Sequence, residues 1–401
     1  MNRFLASLLG IALAVGAGSC GTTAIVDLPW DGSISSGFRP FNIAPGRRIG
    51  VVTNLFSDTI SLVDLDTRAV VDERPVGRSA VDLDGPHHVA IDTDRGELFV
   101  PLSYPARSAS EGLHAAHAAS VRPGYVQRLR LRDLAILGEQ RIDPNPGDIF
   151  FAPKTRTLVV SHFNLNSAFS ADAGLSSDQL GTLAWFSLSA SGDEAMPVAT
   201  KVPTCRAPHG LAASADGNTF FVACYGDDTV VKVRADTKTV VASFVVGSNA
   251  FPLRVTYGPY SVVLSPDGLR MAVGCTDSKD LRILDTETGA ILSVIPTDGP
   301  AFFPRWGVGG AALAALSQSP DQVIFLSEDS PNSFRRRSVL HLDDRCIKPH
   351  ELSRLDDTSA AVVCEGDHVN PGSIAFISPN EILGVAQVGV YPDRMATLRW
   401  P

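Results

Sequence analysis

Five of the nine histidines in this 401-residue chain recur in one local setting, around short apolar runs that a proline introduces. His209 and His350 each follow a proline directly. His87 and His88 stand side by side after Pro86, and His162 closes the run that begins beyond Pro146. Neutral imidazoles that converge on one point can bind copper, zinc or nickel, and Asp148 or Glu365 would serve as oxygen ligands. On that reading His87, His88, His209 and His350 are the metal ligands. The structural alternative is that an imidazole after proline hydrogen-bonds a neighbouring unit of the fold. His114 and His117, three apart in an Ala/Ser-rich stretch that reads as a short helix, would share a face. Other chemistry is sparse: the sequence has no GxSxG, HExxH or CxxCH segment and no glycine loop that would cradle a phosphate. No organic cofactor is expected, and a transition metal is the one alternative.

These residues need elements to place them, and the stretch Cys205 to Gly247 supplies the pattern. It contains four apolar or alternating runs separated by short turns, Ala215-Asp216-Gly217-Asn218 among them, and so reads as a four-stranded antiparallel unit. One such unit cannot bury both faces alone. Six segments share a proline, two variable residues and an apolar strand, starting at Pro86, Pro146, Pro208, Pro259, Pro349 and Pro392. A seventh, less regular copy is read from Gly309 to Glu328. The segment at Pro392 ends the chain without its three partner strands. Those three are found near the beginning, from Arg47, Thr59 and Ala69. The expected fold is all-β: a seven-bladed propeller closed by a blade that mixes N-terminal strands with the C-terminal strand. The propeller is assigned to 47–401.

At Val51 the residues VVTN, then SDTISLVDLDTRAVV, resemble the YVTN repeat of bacterial and archaeal cell-surface and periplasmic propellers. SPDG at Ser265 and DDTVVKVRADTKTVV in the fourth unit do so too. The resemblance implies the fold and an extracytoplasmic setting, and implies no reaction. GPHHVAID at Gly85 is similar to the GPRH segment of seven-bladed lactonases. It implies a lactone or sugar-ester hydrolase as the enzymatic alternative, with His87 or His88 as general base and Arg394 or Glu351 at the carbonyl. A His-lined propeller hub that holds copper has an architectural precedent in nitrous oxide reductase.

Residues 1–19 read as a lipoprotein signal peptide: Arg3 is the basic residue, Phe4 to Val15 the apolar region, and Ala17-Gly18-Ser19-Cys20 the cleavage and lipidation motif. Residues 20–46 read as the lipidated Cys20 and a polar tether. The expected location is outside the cytoplasm, anchored by lipid, on the outer membrane facing the periplasm or at the cell surface. A formal net charge of −9, with no clustered basic run except Arg335-Arg336-Arg337, which reads as a solvated loop-to-strand entry, argues against nucleic acid as a partner. A protein, a glycan or a small molecule remains as the ligand, and the chain is expected to be a monomer. Cys205 should meet Cys224, and Cys346 should meet Cys364. In each pair one cysteine enters the first strand of a blade and the other leaves its second strand, at one face; Cys275 is left as a free thiol.

The same face should carry the long insertions and the polar residues at the strand starts and exits. The candidate binding rim is therefore His87, His88, Asp148, His162, His209, Tyr225, Tyr260, Arg305, Trp306, His350, Glu365 and Asp393. The opposite face should have only tight turns. The function read from the sequence is non-catalytic binding at the loop-rich, histidine-containing face, with the lactonase-like hydrolase and the histidine-ligated metal as alternatives.

Overall fold

Seven four-stranded antiparallel sheets stand around one axis. The computed structural model describes residues 39–105, 120–169, 179–191, 195–248 and 255–401. The residues read as a signal peptide, Cys20, most of those read as a tether, His114 and His117 lie outside the described residues. From blade 1 to blade 7 the inner strands are Pro392–Arg399, Ala90–Asp92, Pro146–Ala152, Pro208–Ala213, Pro259–Leu264, Arg305–Trp306 and Pro349–Arg354. Blade 1 is the mixed blade. Its inner strand is the last of the chain and pairs antiparallel with Arg48–Asn54, from Arg48 opposite Arg399 to Asn54 opposite Pro392. The backbone N–H of Trp400 donates to the Arg47 carbonyl (2.8 Å), and Gly46 N–H donates back to Trp400 (2.8 Å).

The core is a ring of apolar seams, each filled by two neighbouring blades. Between blades 3 and 4, Leu183 and Trp185 meet Phe220 and Val222, with the Trp185 and Phe220 rings 4.8 Å apart. Between blades 7 and 1, Val363, Ile374 and Phe376 meet Val52, Val63 and Met395. Alternation along the strands turns one set of side chains to each seam, so every blade is covered on both faces by its neighbours. Aspartates in the second-to-third-strand turns add polar latches. Asp58 accepts the backbone N–H groups of Asp84 and Gly85 (3.0 and 2.7 Å), and Asp228 accepts those of Thr256, Tyr257 and Gly258 (2.7, 2.9 and 2.9 Å). The DDT and SDT segments of the repeat thus fix the entry to the next blade. Two disulfides, Cys205–Cys224 and Cys346–Cys364, sit at such entries, and Cys275 is free and buried. Cys205 is also the last residue of the outer strand of blade 3, so its bridge ties blade 3 to blade 4.

Three details differ from the sequence reading. In blade 6 the run from Gly309 holds the second strand, Leu313–Ser317, and not the first. The inner strand lies upstream, where Ala301 bridges Ser317 and Arg305–Trp306 pairs with Leu313 and Ala314. A run of glycines and alanines has strand periodicity but no landmark for its place in the blade. As a result Glu328, the end of the copy read from Gly309, lies in the third strand at the opposite face, paired with Arg270. The opposite face also carries one longer connection, 188–199, besides its tight turns. Finally, the ordered propeller begins before Arg47. Phe41 is buried against Trp400, with ring centroids 5.8 Å apart, and Arg74 covers its other side at 3.7 Å.

Removing Val390–Pro401 takes away the inner strand of blade 1 and bares the edge of Arg48–Asn54. An exposed strand edge templates pairing with other chains. The truncated protein should run as oligomers or aggregates in size-exclusion chromatography and melt at a lower temperature. A monomer with the melting temperature of the full chain would contradict this closure.

Candidate functional site

A one-residue bulge in every inner strand aims side chains at the axis. Pro208 pairs with Cys224, but Leu211 pairs with Val222; the same slip follows Pro146, Pro259, Pro349 and Pro392. In blade 2 it lies between Pro86 and Ala90, and in blade 6 between Ala301 and Arg305. Proline is tolerated at a strand start or bulge because no ladder hydrogen bond is needed there, and the bulge re-aims the residues that follow. The residue before each of the six prolines has positive φ: Gly85, Asn145, Ala207, Gly258, Lys348 and Tyr391. The two variable residues of the repeat are therefore the hub residues. They are His87-His88, Gly147-Asp148, His209-Gly210, Tyr260-Ser261, Phe302-Phe303, His350-Glu351 and Asp393-Arg394. Where there is no Cβ the neighbour comes close: one built on Gly210 would stand 2.6 Å from the Ser261 Cα.

The hub is filled, not open. His87, His209, Tyr260 and His350 have no exposed surface, and His88 and Asp393 have 1%. The rings stack: His87 on His88 with centroids 4.4 Å apart, and His209 on Tyr260 at 3.6 Å. Consecutive residues of an extended strand point to opposite faces. His88 escapes this rule because its φ is +59°, a left-handed value that histidine tolerates better than most residues. Both imidazoles of the PHH segment consequently face the same carboxylate. His87 Nε2 is 3.0 Å and His88 Nε2 3.4 Å from Asp393 Oδ2. One ligand atom from each of His87, His88 and Asp393 lies within 4.8 Å of the others, and all three residues are buried.

Around this trio runs a network of charged partners. His88 Nδ1 lies 2.8 Å from Asp148 Oδ1. Asp148 also accepts backbone N–H groups of Ile149 (2.8 Å) and Leu211 (2.9 Å) and the guanidinium of Arg394. Arg394 reaches Glu351 (3.6 Å) and lies over the Phe303 ring at 5.7 Å. His350 Nδ1 donates to the Asp393 carbonyl (2.9 Å) and is 3.4 Å from its carboxylate. Glu365 stands 3.9 Å from His350 and accepts from His368 (2.8 Å). Burial pushes the Asp393 carboxyl up to about 7, against the pull of His350 and with the help of Glu365 and Glu351. Burial raises Asp148 too, although Arg394 opposes it. For His350, burial opposes the charged form, but Asp393 and Glu365 outweigh it and its pKa rises. For Glu365, burial is more than offset by the His368 hydrogen bond and His350, and its pKa falls.

The candidate residues fall into three groups. His87, His88, Asp148, His209, Tyr260, His350 and Asp393 meet in the hub. His209 and His350 stand beside the trio, with ring centroids 5.9 and 6.1 Å from His88, and are not among the three converging ligands. The carboxylate that converges with the two imidazoles is Asp393 and not Asp148 or Glu365, which are engaged by Arg394 and His368. His162, Tyr225 and Glu365 lie at the strand exits of the loop-rich face. Tyr225 packs edge-on to Phe163 (5.5 Å), and burial and Asp277 raise its pKa. Arg305 and Trp306 sit further along the inner strand of blade 6, away from that face. Arg305 donates to the Leu352 carbonyl (3.0 Å) and reaches Glu351 (3.4 Å); the Trp306 indole reaches the Val263 carbonyl (3.5 Å). The rim list omitted Glu351, Arg394, Phe302 and Phe303. The first two were read from the sequence at the carbonyl of the lactonase alternative; the missing proline hid the last two.

No protein-family model matches the chain, and no curated protein matches it in sequence. Solved structures do. The periplasmic gluconolactonase of Pseudomonas aeruginosa superposes with a TM-score of 0.65 at 14% identity, over 88% of this chain and 100% of that one. A functionally unknown protein from Desulfotomaculum acetoxidans gives 0.63 at 13%, over 88% and 99%. The hydrazine synthase of Kuenenia stuttgartiensis gives 0.52 at 16%, over 76% and 80%. Such likeness shows the shared propeller fold, and the fold carries different chemistries in these proteins.

His162 offers a test of the rim electrostatics. It is buried, and its Nδ1 donates to the Thr182 carbonyl (2.8 Å). Burial lowers its pKa to about 4, and Asp143 only partly opposes the shift. The unfolded chain takes up this proton near pH 6.5 and the folded one only near 4. Stability from this residue is therefore complete above pH 6.5 and falls as pH drops towards 4, by roughly 3 kcal/mol. Melting curves of wild type and His162→Gln at pH 7 and pH 4.5 should show the smaller acid loss in the variant. Equal losses would mean that His162 is not held neutral by burial.

Proposed function

We propose that this propeller is an extracytoplasmic metal-binding protein whose hub takes one divalent transition ion. The observation that carries the reading is the convergence of His87, His88 and Asp393 on one buried point. Two imidazole nitrogens and one carboxylate are a borderline donor set, suited to zinc, copper, nickel or cobalt rather than to calcium or magnesium. Charge supports it. Asp148, Glu351, Glu365 and Asp393 are all buried carboxylates, whereas Arg305 and Arg394 are the guanidiniums that reach them. With neutral imidazoles that leaves two negative charges to be balanced in a site closed to water. Buried charge without a counter-charge is costly, so the hub holds protons on its carboxyls, Asp393 at about 7 first among them, or on its imidazoles, or it takes a divalent cation. The ligand of the histidine-containing face is, on this reading, an ion seated beneath the face. The lipid anchor at Cys20 belongs to the same proposal: the N-terminal sequence motivates it, and two disulfides fit an oxidising compartment.

Lactone hydrolysis is the second reading. What favours it is the Asp393 carboxyl at about 7 beside imidazoles, an acid–base pair poised near neutrality, on a fold shared with a gluconolactonase. A panel of lactones would test it, and turnover lost in Asp393→Asn would favour it.

For the metal, the decisive step is elemental analysis of protein made without a histidine tag, followed by titration of the stripped chain with Zn(II). About one ion per chain should bind to wild type and to His209→Ala, and binding should fall at least tenfold in His87→Ala and Asp393→Asn. The loss of a ligand or its partner commonly costs that much. No uptake by the wild type, or uptake that ignores the His87 and Asp393 substitutions, would end this reading.

A further inference from the structure

We propose that Asp148, held by Arg394, is the positioning residue that turns the Nε2 lone pair of His88 toward the ion. The inference rests on the metal reading above and adds a residue that would touch no metal. Asp148 Oδ1 is 2.8 Å from His88 Nδ1, while His88 Nε2 faces Asp393 Oδ2 at 3.4 Å. Asp148 is an acceptor on every side. It receives the N–H groups of Ile149 and Leu211 and the Arg394 guanidinium, and its own backbone N–H is tied to Ser161 Oγ (2.8 Å). A carboxylate so surrounded asks His88 Nδ1 for a proton. A neutral His88 then carries its proton on Nδ1 and a lone pair on Nε2. That lone pair points at a carboxylate oxygen. Two acceptors facing each other at 3.4 Å repel unless a proton on the Asp393 carboxyl or a cation joins them, and an ion bound by both would take the place of that proton. This is the general arrangement in which an outer carboxylate fixes the ring and tautomer of a metal-binding histidine.

Asp148 and Arg394 come from different blades. Asp148 stands on blade 3 and Leu211, which anchors it, on blade 4; Arg394 is on the closing strand of blade 1, and His88 on blade 2. Four blades thus set one imidazole. Arg394 holds the oxygen that faces His88 and so fixes Asp148 in place. Its guanidinium also comes within 3.2 Å of His88 Nδ1, where it can only donate and so competes with Asp148; the shorter 2.8 Å contact to Asp148 favours Nδ1 as the donor.

The test uses the full mature chain, stripped of metal and titrated with Co(II), whose visible bands report ligand number and type. Wild type should bind one Co(II). Asp148→Asn should bind it roughly 10- to 100-fold more weakly, with altered bands, and Asp148→Glu should recover part of the affinity. Wild type that binds no Co(II) would overturn the metal reading and this inference together. Wild type and Asp148→Asn that bind equally, with identical bands, would overturn the inference and leave the metal reading standing. Should Asp148→Asn fail to fold, the same question is answered in wild type loaded with Zn(II). Imidazole nitrogen NMR, assigned with His88→Gln, should show His88 protonated on Nδ1 and not on Nε2. A proton on Nε2 in that form would refute the assignment.

Discussion

Two neighbouring residues of the closing strand, Asp393 and Arg394, carry opposite charges into the centre of the ring, and the hub depends on them. Arg394 joins Asp148 of blade 3 and Glu351 of blade 7. Asp393 faces His87 and His88 of blade 2 and His350 of blade 7. Asp393 is buried and Arg394 mostly so, both rely on these partners, and removing one partner of a buried pair commonly costs about 3–5 kcal/mol. The polar centre therefore specifies which strand closes the ring and in what register. The backbone ladder of Arg48–Asn54 supplies the pairing; the charges supply the choice.

The remaining architecture serves that centre. A ring of apolar seams holds the blades upright, and two disulfides tie entries that would otherwise open. Bulges after proline then turn paired residues inward from each blade. Aromatic rings at blades 5 and 6, Tyr260, Phe302 and Phe303, fill the part of the hub where two of the seven blades bring in no charge. The result is a low-dielectric cup with imidazoles and carboxylates on one side. Electrostatic interactions there are stronger than in water, which makes an uncompensated charge costly and a bound cation strongly held.

The fold was legible because a propeller repeats itself. A proline followed by two free positions and an apolar run marks six inner strands, and the orphan segment at Pro392 points to ring closure. Blade 6 was misplaced because Ala301 stands where the others have proline, and the Gly309 run mimics a first strand. The histidines were legible as a group, but their setting was not. Whether His87 and His88 point apart or together depends on the φ of His88, a backbone choice that the sequence PHH does not announce. Asp393 looked like one rim residue among many. Its role as the shared partner of three imidazoles requires the closing strand to be placed against blades 2 and 7, which no local pattern conveys. Nor does the sequence announce that stacked rings fill the centre of the face.

The central claim is a divalent ion held by His87, His88 and Asp393, and X-ray absorption at the metal edge examines it most directly. On the chain loaded with one equivalent of Zn(II), the spectrum should show a nitrogen and oxygen shell at about 2.0–2.1 Å with the multiple-scattering signature of two imidazoles. That signature should fall to one imidazole in His88→Gln. A spectrum of hydrated zinc, or one unchanged by the substitution, would contradict the account.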